Sequence, residues 1–298
     1  MGIYLEKTED VAKLRPVLEK LAGISEFEAY RFCDDFADIH KRYDVFKIVY
    51  PGGAAILKLY DEAPEAYECE KEIYQTFPEG TPVPRVIGFS EGFMLSEFIP
   101  GDDLKEVTDE TAAAVGRSVA EIMNAFPLNR EYDRTEADKL LVRRKERAEF
   151  LQNEPLLKEA YAVYLARLKN MPLTMENGDF LPINCIYNGD RVYIIDWEFG
   201  GFLPYAMDIA RFMAHAGESD EYTYRMTDRQ KQVFMDTIYE NLHVKPDRST
   251  FGRDIQMALM DEMVIILKRY LTDPTVPREA EFNLYYSRAC DIAKKLLS

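Results

Sequence analysis

The chain is poor in cysteine, and none of its four cysteines stands at the spacing of a metal-binding motif. A chain of 298 residues buries enough apolar surface to fold without disulfides. We therefore expect reduced, mostly buried thiols, and neither a disulfide framework nor a zinc motif.

Long apolar runs are also missing. No stretch approaches the roughly 18 apolar residues that a membrane-spanning helix needs. The N-terminal segment carries acidic side chains and lacks the apolar stretch of a signal peptide. These absences predict a soluble protein of the cytoplasm without a membrane partner.

Positive charge is in deficit. Lys and Arg total 37 against 53 Asp and Glu, which gives a net charge of −16. Because a nucleic-acid partner requires a basic face, this balance argues against one. An acidic surface favours a cationic small molecule, although such surfaces also serve solubility alone. The apolar content of 47% predicts a folded core.

The order of sequence patterns predicts two parts. Apolar and aromatic runs in the first part predict strands at residues 27–33, 43–50, 54–60, 85–89 and 93–98, and a helix at 65–77. The segment Pro51-Gly52-Gly53 predicts a hairpin turn. Beyond residue 100 the patterns are mostly helical, with Thr108 and Thr227 as N-caps. The other predicted helices are 136–150, 156–168, 254–271 and 278–297.

One chemically suggestive segment interrupts the helices. It contains the carboxylate of Asp179, the amide of Asn184 and the carboxylate of Asp196. Asn188-Gly189 between alternating strands predicts a β-hairpin, which would bring Asn184 and Asp196 together. Phosphoryl transfer from a metal-bound nucleotide needs such groups, because one carboxylate accepts a hydroxyl proton while the other two residues hold Mg²⁺.

The same chemistry predicts a lysine on an upstream strand and a glutamate on the helix after it. Lys58 stands inside the apolar run Ile56-Leu57-Lys58-Leu59, where an unpaired charge would be costly. Glu70 on the following helix is its predicted partner. Either residue alone is typical of a solvated surface charge, so the evidence lies in their order relative to the downstream segment.

Together these motifs resemble the aminoglycoside phosphotransferase and choline kinase superfamily over about residues 36–213. Further matching segments are Val83-Pro84-Arg85, residues 94–98 and Met207-Asp208-Ile209-Ala210. The resemblance implies a bilobal protein-kinase-like fold of the α+β class. Residues 1–98 would form a small nucleotide-binding lobe with an antiparallel sheet and one helix. Residues 99–298 would form a larger, mostly helical lobe with the catalytic hairpin and the acceptor site.

The resemblance also implies how ATP or GTP is bound. Lys58 would contact the nucleotide phosphates and pair with Glu70, for which Glu68 and Glu72 are alternatives. The backbone of Glu97, Phe98 and Ile99 would hydrogen-bond to the base.

The catalytic roles follow from the same resemblance. Asp179 would be the catalytic base, and Asn184 and Asp196 would bind Mg²⁺. Asp208 would brace the catalytic loop, since an unsupported catalytic carboxylate loses its geometry.

Two departures from the family pattern stand out. The family usually has a histidine where this chain has Asn177, which we expect to support the loop by hydrogen bonding instead. The predicted phosphate-covering loop, residues 37–43, contains no glycine, and this is typical of aminoglycoside kinases more than of protein kinases. No Ala-Pro-Glu motif follows Asp196, so a protein substrate or partner is not expected.

The acceptor is the least determined part. Candidate carboxylates for a cationic acceptor are Glu198, Asp261 and Glu262, although the last two are equally typical of an exposed helix face. Trp197 is a candidate for a cation–π contact, but packing in the core is favoured. The predicted acceptor is a small cationic alcohol resembling an aminoglycoside or choline. The alternatives are another metabolite, such as a sugar, homoserine or thiamine, or a catalytically weak nucleotide-binding relative.

Overall fold

The computed structural model describes residues 3–9, 11–36, 39–60, 63–219, 222–273 and 275–298. The chain divides into two compact units. The first consists of Met1–Gly101 with Trp197–Phe199, and the second of Asp102–Asp196 with Gly200–Ser298. The assignment of nucleotide binding to residues 1–98 and of catalysis to residues 99–298 stays a prediction. No helix in the described ranges is long and apolar enough to cross a membrane.

The first unit is built on a six-stranded antiparallel sheet. Its strands are β1 (Tyr4–Thr8), β2 (Glu28–Phe36), β3 (Ile39–Tyr50), β4 (Gly53–Leu59), β5 (Val86–Ser90) and β6 (Phe93–Glu97). Their order in the sheet is β1-β2-β3-β4-β6-β5. Two helices, α1 (Leu14–Ala22) and α2 (Pro64–Thr76), accompany the strands. The sequence patterns predicted α2 and five of the strands, but neither β1 nor α1.

Helix α1 covers the apolar face of this sheet. Leu14 and Leu18 are buried and pack against strand residues that include Ile48 and Leu57. Alternate residues of a strand share one face, so these apolar positions form a single layer under the helix. The predicted hairpin between β3 and β4 is confirmed, with Gly53 at a φ of 141° that favours glycine. Of the predicted phosphate-covering loop, residues 37 and 38 lie outside the described residues, and 39–43 belong to β3.

The second unit is mostly helical. Its helices are α3 (Asp109–Ala125), α4 (Thr135–Ala148), α5 (Pro155–Leu168), α6 (Met207–Ala214), α7 (Asp228–Asn241), α8 (Arg248–Ile266), α9 (Lys268–Thr272) and α10 (Ala280–Leu297). Its short strands are β7 (Asp102–Asp103), β8 (Leu173–Glu176), β9 (Cys185–Tyr187), β10 (Val192–Ile194), β11 (Gly201–Pro204), β12 (Ala216–Gly217) and β13 (Tyr224–Arg225). The pairs β8–β11 and β9–β10 are antiparallel and frame the segment that carries Asp179.

Local signals set several helix ends in this unit. Thr108 and Thr227 are the N-caps that were predicted, and they accept hydrogen bonds from the backbone N–H groups of Thr111 and Gln230. The capping box predicted at Thr227 is confirmed, and Thr108 forms one as well. The helix predicted at 254–271 is wrong in its bounds. It begins at Arg248, and at Leu267 it gives way to α9.

The predicted β9–β10 hairpin is confirmed, with Cys185 opposite Ile194. Asn188 Oδ1 accepts hydrogen bonds from the backbone N–H groups of Asp190 and Arg191, at 3.1 and 2.9 Å. Gly189 adopts a φ of 94° in the same turn. None of the four cysteines, which all lie in the described ranges, forms a disulfide; Cys33 and Cys185 are buried, and Cys69 and Cys290 are partly buried.

Candidate active site

The segment that carries Asp179 is fastened to helix α6 through its backbone. Asp208 Oδ1 accepts the N–H of Gly178 at 3.0 Å, and Oδ2 accepts the N–H of Asn177. Gly178 has a φ of 79°, a conformation that L side chains rarely adopt. The two bonds hold the turn directly before Asp179. Asp208 therefore has the contacts of the predicted brace.

An aromatic contact also anchors the segment that carries Asp179 to helix α6. Phe180 is fully buried and stacks on Phe212 of α6, with 5.0 Å between the ring centroids. Phe212 in turn packs against Phe234 of α7 at 4.9 Å. Stacked aromatic rings add to the stabilisation that burial alone provides. The residue after Asp179 is thereby anchored in the core of the second unit.

Two acidic side chains lie buried at the start of α6. Glu176 Oε2 accepts the backbone N–H of Asp208 at 2.6 Å. Burial raises the pKa of Asp208 to about 7, although the N–H donors of Asn177 and Gly178 favour its charged form. Burial, followed by the charge of Asp208, raises the pKa of Glu176 well above its ordinary value. The pair is therefore sensitive to pH.

Asn177 joins the catalytic segment to the end of the hairpin. Its side-chain amide donates to the carbonyl oxygens of Ile195 and Asp196, at 3.1 and 2.9 Å. Its Oδ1 accepts the backbone N–H of Asp179 at 3.2 Å. The side chain is fully buried, so these bonds satisfy polar groups that water does not reach. Asn177 thus has the supporting contacts that we expected of it.

Asn184 and Asp196 are held near one another as the hairpin predicted. The backbone N–H of Ile195 donates to the carbonyl of Asn184 at 3.0 Å. Asn184 Nδ2 donates to the carbonyl of Asp179 at 2.9 Å. A carbonyl oxygen only accepts hydrogen bonds, so the NH₂ group of Asn184 faces Asp179. Oδ1 of Asn184 is then a possible metal ligand.

The donor set suits Mg²⁺, which prefers amide and carboxylate oxygens. Asp196 has a φ of 62°, a left-handed conformation that aspartate and asparagine tolerate better than other residues with side chains. The two oxygen donors, one amide and one carboxylate, fit the magnesium site that was predicted.

The carboxylate of Asp179 is paired with Arg211, a contact that the sequence patterns did not predict. Asp179 Oδ1 accepts a hydrogen bond from Arg211 Nε at 3.0 Å and a second from Nη2. Arg211 Nη1 donates to Glu262 Oε2 at 2.9 Å. The side chains of Arg211 and Asp179 are 26% and 27% exposed. The Asp179 carboxylate is therefore partly exposed to solvent, and Arg211 fixes its orientation.

The predicted acceptor residues Asp261 and Glu262 of α8 are not on an exposed helix face. Asp261 is completely buried and pairs with Arg144 at 2.6 Å and Arg147 at 2.8 Å. It has no surface that an acceptor can contact, so its predicted acceptor role is corrected to a structural one. Glu262 is also buried and pairs with Arg211. The carboxylates of Asp261 and Glu262 are thus both paired with arginine side chains.

Lys58 lies within a cluster of the first unit. Its Nζ is 2.8 Å from Glu70 Oε2 and 3.0 Å from Glu198 Oε2. Glu70 is only 1% exposed and also accepts the hydroxyl of Tyr60 and the backbone N–H of Trp197. The structure thus pairs Lys58 with Glu70 and places Glu198 against the same ammonium group.

The alternatives to Glu70 do not reach Lys58. Glu68 and Glu72 lie on the exposed face of α2, and Glu68 pairs with Lys71 at 3.0 Å. A helix turns about 100° per residue, so neighbours two positions apart point in different directions. Glu70 is the one of the three that faces inward.

The predicted base-binding segment begins at Glu97, the last residue of β6. The N–H of Glu97 donates to the carbonyl of Arg85 at 3.0 Å, so that N–H is already used. Phe98 lies beneath the ammonium of Lys47, which is 3.9 Å from the ring centroid. Ile99 is half-buried. The role of these three residues in binding a nucleotide base stays a prediction.

Trp197 packs in the core of the first unit. It is 1% exposed and lies edge-on to Phe77, with 4.6 Å between ring centroids. An acceptor cation cannot reach a ring buried to this degree. The packing interpretation of Trp197 is therefore confirmed.

Comparison with solved structures shows the fold. The choline kinase LicA from Streptococcus pneumoniae matches with a TM-score of 0.60 at 13% identity, covering 97% of this chain and 100% of that chain. The complex of APH(2'')-IIa with streptomycin and ATP matches with a TM-score of 0.56 at 14% identity, covering 97% and 96%. A putative fructosamine-3-kinase from Thermobifida fusca YX-ER1 matches with a TM-score of 0.58 at 16% identity, covering 95% and 98%. The predicted kinase-like α+β fold is confirmed.

The sequence itself matches a family. No curated protein matches the chain. The sequence profile of the APH phosphotransferase enzyme family, however, matches residues 37–233, more than half of the chain. The chain therefore belongs to the APH phosphotransferase enzyme family and is a small-molecule kinase.

Proposed function

We propose that the protein transfers the γ-phosphate of ATP to a hydroxyl group of a small molecule, with Mg²⁺ as cofactor. The observation that carries this proposal is the arrangement around Asn177. One buried side chain binds the backbone of Asp179 and the backbone of Asp196. The candidate base and a candidate metal ligand are therefore held by the same residue.

In the proposed reaction the acceptor oxygen attacks the γ-phosphorus. A new oxygen–phosphorus bond forms, and the bond from the γ-phosphorus to the bridging oxygen of ADP breaks. The hydroxyl proton passes to the carboxylate of Asp179. Phosphoryl transfer needs little covalent help from the protein, so orientation of the hydroxyl and charge stabilisation supply most of the catalysis.

Residues of the hairpin would hold the metal. Asn184 Oδ1 and the carboxylate of Asp196 are its proposed ligands. Mg²⁺ bound there would neutralise charge on the phosphate oxygens. The hydrogen bond from Asn184 Nδ2 to the Asp179 carbonyl fixes the amide so that its oxygen faces away from that bond. Asp179 and Asn184 are thereby oriented together.

Lys58 is the proposed phosphate ligand of the first unit. Glu70 orients its ammonium group, as the 2.8 Å contact supports. Glu198 contacts the same group at 3.0 Å. Phosphate oxygens and Glu198 would therefore compete for Lys58, which makes an additional role for Glu198 at the acceptor a weaker proposal. ATP is the proposed donor, with GTP as the alternative.

The acceptor class is proposed from charge. The net charge of −16 favours a cationic alcohol, and the similar structures include a choline kinase and an enzyme with streptomycin bound. One observation favours a second candidate. Asp261 and Glu262 already form ion pairs with arginines. These two carboxylates of α8 are therefore not available to bind a polycation. A neutral metabolite such as a sugar is therefore the second candidate, and within the first candidate class a singly charged alcohol is favoured over a polycation.

A panel experiment tests the proposed function. Purified protein is incubated with Mg-ATP and, separately, with choline, ethanolamine, streptomycin, spectinomycin, homoserine, thiamine and simple sugars. ADP release and the phosphorylated product are measured by chromatography with mass spectrometry. We expect one chemical class to be phosphorylated. Tight Mg-ATP binding without transfer to any hydroxyl would instead support a nucleotide-binding relative.

A further inference from the structure

Helix α6 contacts the catalytic segment at two points that lie one helical turn apart. Asp208 binds the backbone before Asp179, and Arg211 binds the Asp179 carboxylate itself. Residues three apart on a helix share a face, so one rigid element supplies both contacts. The first contact orients the loop, and the second orients the functional group.

The contact is made to one oxygen of the carboxylate. In the described ranges, the hydrogen bonds and ion pairs of the Asp179 side chain all fall on Oδ1, from Arg211 Nε and Nη2. A guanidinium group presents several N–H donors in a fixed plane, so two of them fix the direction of the carboxylate. Oδ2 is then the carboxylate oxygen of Asp179 that Arg211 does not contact.

Glu262 holds the other end of the guanidinium. Its Oε2 is 2.9 Å from Arg211 Nη1 and 3.8 Å from His215 Nε2, and its Oε1 is 4.0 Å from Arg144. Glu262 is buried. Although burial favours the protonated form, these neighbours lower its pKa to about 2, so it stays charged. Arg211 is therefore fixed between a buried carboxylate and an accessible one.

We infer that Arg211 is a positioning residue, anchored by Glu262, which holds Asp179 so that Oδ2 receives the acceptor proton. This inference rests on the proposed function. Lysine would keep the positive charge but not the shape, because a single ammonium group cannot make the planar contacts to both carboxylates. The arrangement also explains why Glu262 is not available to an acceptor.

The test compares Arg211→Met, Arg211→Lys, Arg211→Ala and Glu262→Gln with wild type. Turnover is measured at saturating Mg-ATP with the panel member that wild type phosphorylates fastest, or with water as acceptor if none is used. A misplacement of about 1 Å costs on the order of 100-fold in rate. We expect kcat to fall about 100-fold in Arg211→Met and about 10-fold in Arg211→Lys and Glu262→Gln. The KM for ATP should stay within about 3-fold.

A matched control variant separates the loss of positioning at Asp179 from a general loss of protein stability. Arg167 pairs with the buried Asp254 of α8 through bonds of 2.8 and 2.7 Å. Arg167→Met therefore also removes the guanidinium partner of a buried carboxylate on α8, while Tyr205 still donates to Asp254, and it does not touch Asp179. It should lower the melting temperature as Arg211→Met does, with kcat close to wild type. Guanidinium ion at a non-denaturing concentration should restore part of the turnover of Arg211→Ala and leave Arg167→Met unchanged.

The outcomes distinguish this inference from the proposed function. Loss of turnover in Asp179→Asn together with wild-type kcat in Arg211→Met would overturn the role of Arg211 alone. Full turnover in Asp179→Asn would overturn the proposed function. If no turnover is measurable, crystal structures of wild type and Arg211→Met decide. The Asp179 carboxylate should rotate in the variant, and an unchanged orientation contradicts the inference.

Discussion

The side-chain amide of Asn177 donates to the backbone carbonyl of Asp196 at 2.9 Å. The same side chain accepts the backbone N–H of Asp179 at 3.2 Å. One asparagine thus links the backbones of the two residues to which we assign proton transfer and metal binding. The family usually has a histidine here, and the structure supplies the supporting contacts without it.

Replacing Asn177 with alanine should impair both activity and stability. Two backbone carbonyls and one N–H would lose their partner in a buried site, at a cost of about 1–3 kcal/mol for an unsatisfied group. We expect the free energy of unfolding to fall by that order and kcat to fall about 10-fold or more. Urea unfolding and steady-state kinetics measure the two effects. Asn188→Ala, in the exposed hairpin turn, serves as the control and should keep kcat near wild type.

Asp196→Asn should weaken the binding of Mg-ATP and leave the backbone undisturbed. Asparagine tolerates the left-handed φ of 62° at this position, whereas alanine would add strain. The variant removes the negative charge offered to Mg²⁺, so we expect Mg-ATP affinity to fall at least 10-fold. Isothermal titration calorimetry with and without Mg²⁺ measures this. Equal affinity of wild type and variant for Mg-ATP would exclude Asp196 as a metal ligand.

Glu70→Gln should cost more stability than the same change at its neighbours. Glu70 is buried and pairs with Lys58 at 2.8 Å, and removing one partner of a buried pair costs about 3–5 kcal/mol. The amide keeps some hydrogen bonds, so we expect a loss of about 2–3 kcal/mol and a higher KM for ATP. Glu72→Gln, on the exposed face of α2, should change the free energy of unfolding by less than about 0.5 kcal/mol. Similar effects at both positions would argue against the Lys58–Glu70 pair.

The buried carboxyl of Asp208 should make stability fall as the pH rises from about 4 to 7. Burial raises its pKa from 3.8 to about 7. Between these values the folded state binds the proton more tightly than the unfolded state. The stabilisation is therefore complete below the unfolded pKa and is lost as pH rises through the folded one. In wild type, the unfolding free energy should fall between pH 5 and pH 8. We expect this fall to be smaller in Asp208→Asn than in wild type, by on the order of 2 kcal/mol. An identical pH dependence in both proteins would contradict this.

The sequence predicted the parts of the site that local signals specify. Thr108, Thr227 and the Asn188-Gly189 turn act on residues within a few positions, so their structures follow from short patterns. The hairpin was predicted for the same reason. Lys58 and Glu70 were identified together from their order relative to the downstream segment, and only the structure excludes Glu68 and Glu72 as the partner of Lys58.

Arg211 could not be predicted in this way. Its partners Asp179 and Glu262 lie 32 and 51 residues away in the chain. Arg211 directly follows the matching segment Met207-Asp208-Ile209-Ala210, but that pattern does not indicate which carboxylates Arg211 contacts. Asp261 and Glu262 of α8 present the same difficulty, because Asp261 pairs with Arg147 of α4, which lies 114 residues away. Such contacts depend on the packing of whole helices.

Helix α1 and strand β1 were missed for a different reason. Both are short, and only two residues of α1, Leu14 and Leu18, are fully buried. Strand β1 is an edge strand with mostly exposed side chains. The apolar residues of α1 do recur at helical spacing (Leu14, Val17, Leu18 and Leu21), but both elements are shorter than the window of about 11 residues over which such a period identifies an element.

The central claim is that Asp179 accepts the proton of an acceptor hydroxyl during transfer of phosphate from Mg-ATP. The most direct measurement compares turnover and Mg-ATP affinity in wild type, Asp179→Asn and the control Asp190→Asn, which alters an exposed residue of the hairpin turn. General base catalysis contributes about 10²–10⁴-fold. We predict that kcat falls by that factor in Asp179→Asn and stays near wild type in Asp190→Asn. The affinity for Mg-ATP should lie within about 3-fold of wild type in both variants. A wild-type kcat in Asp179→Asn would contradict the central claim.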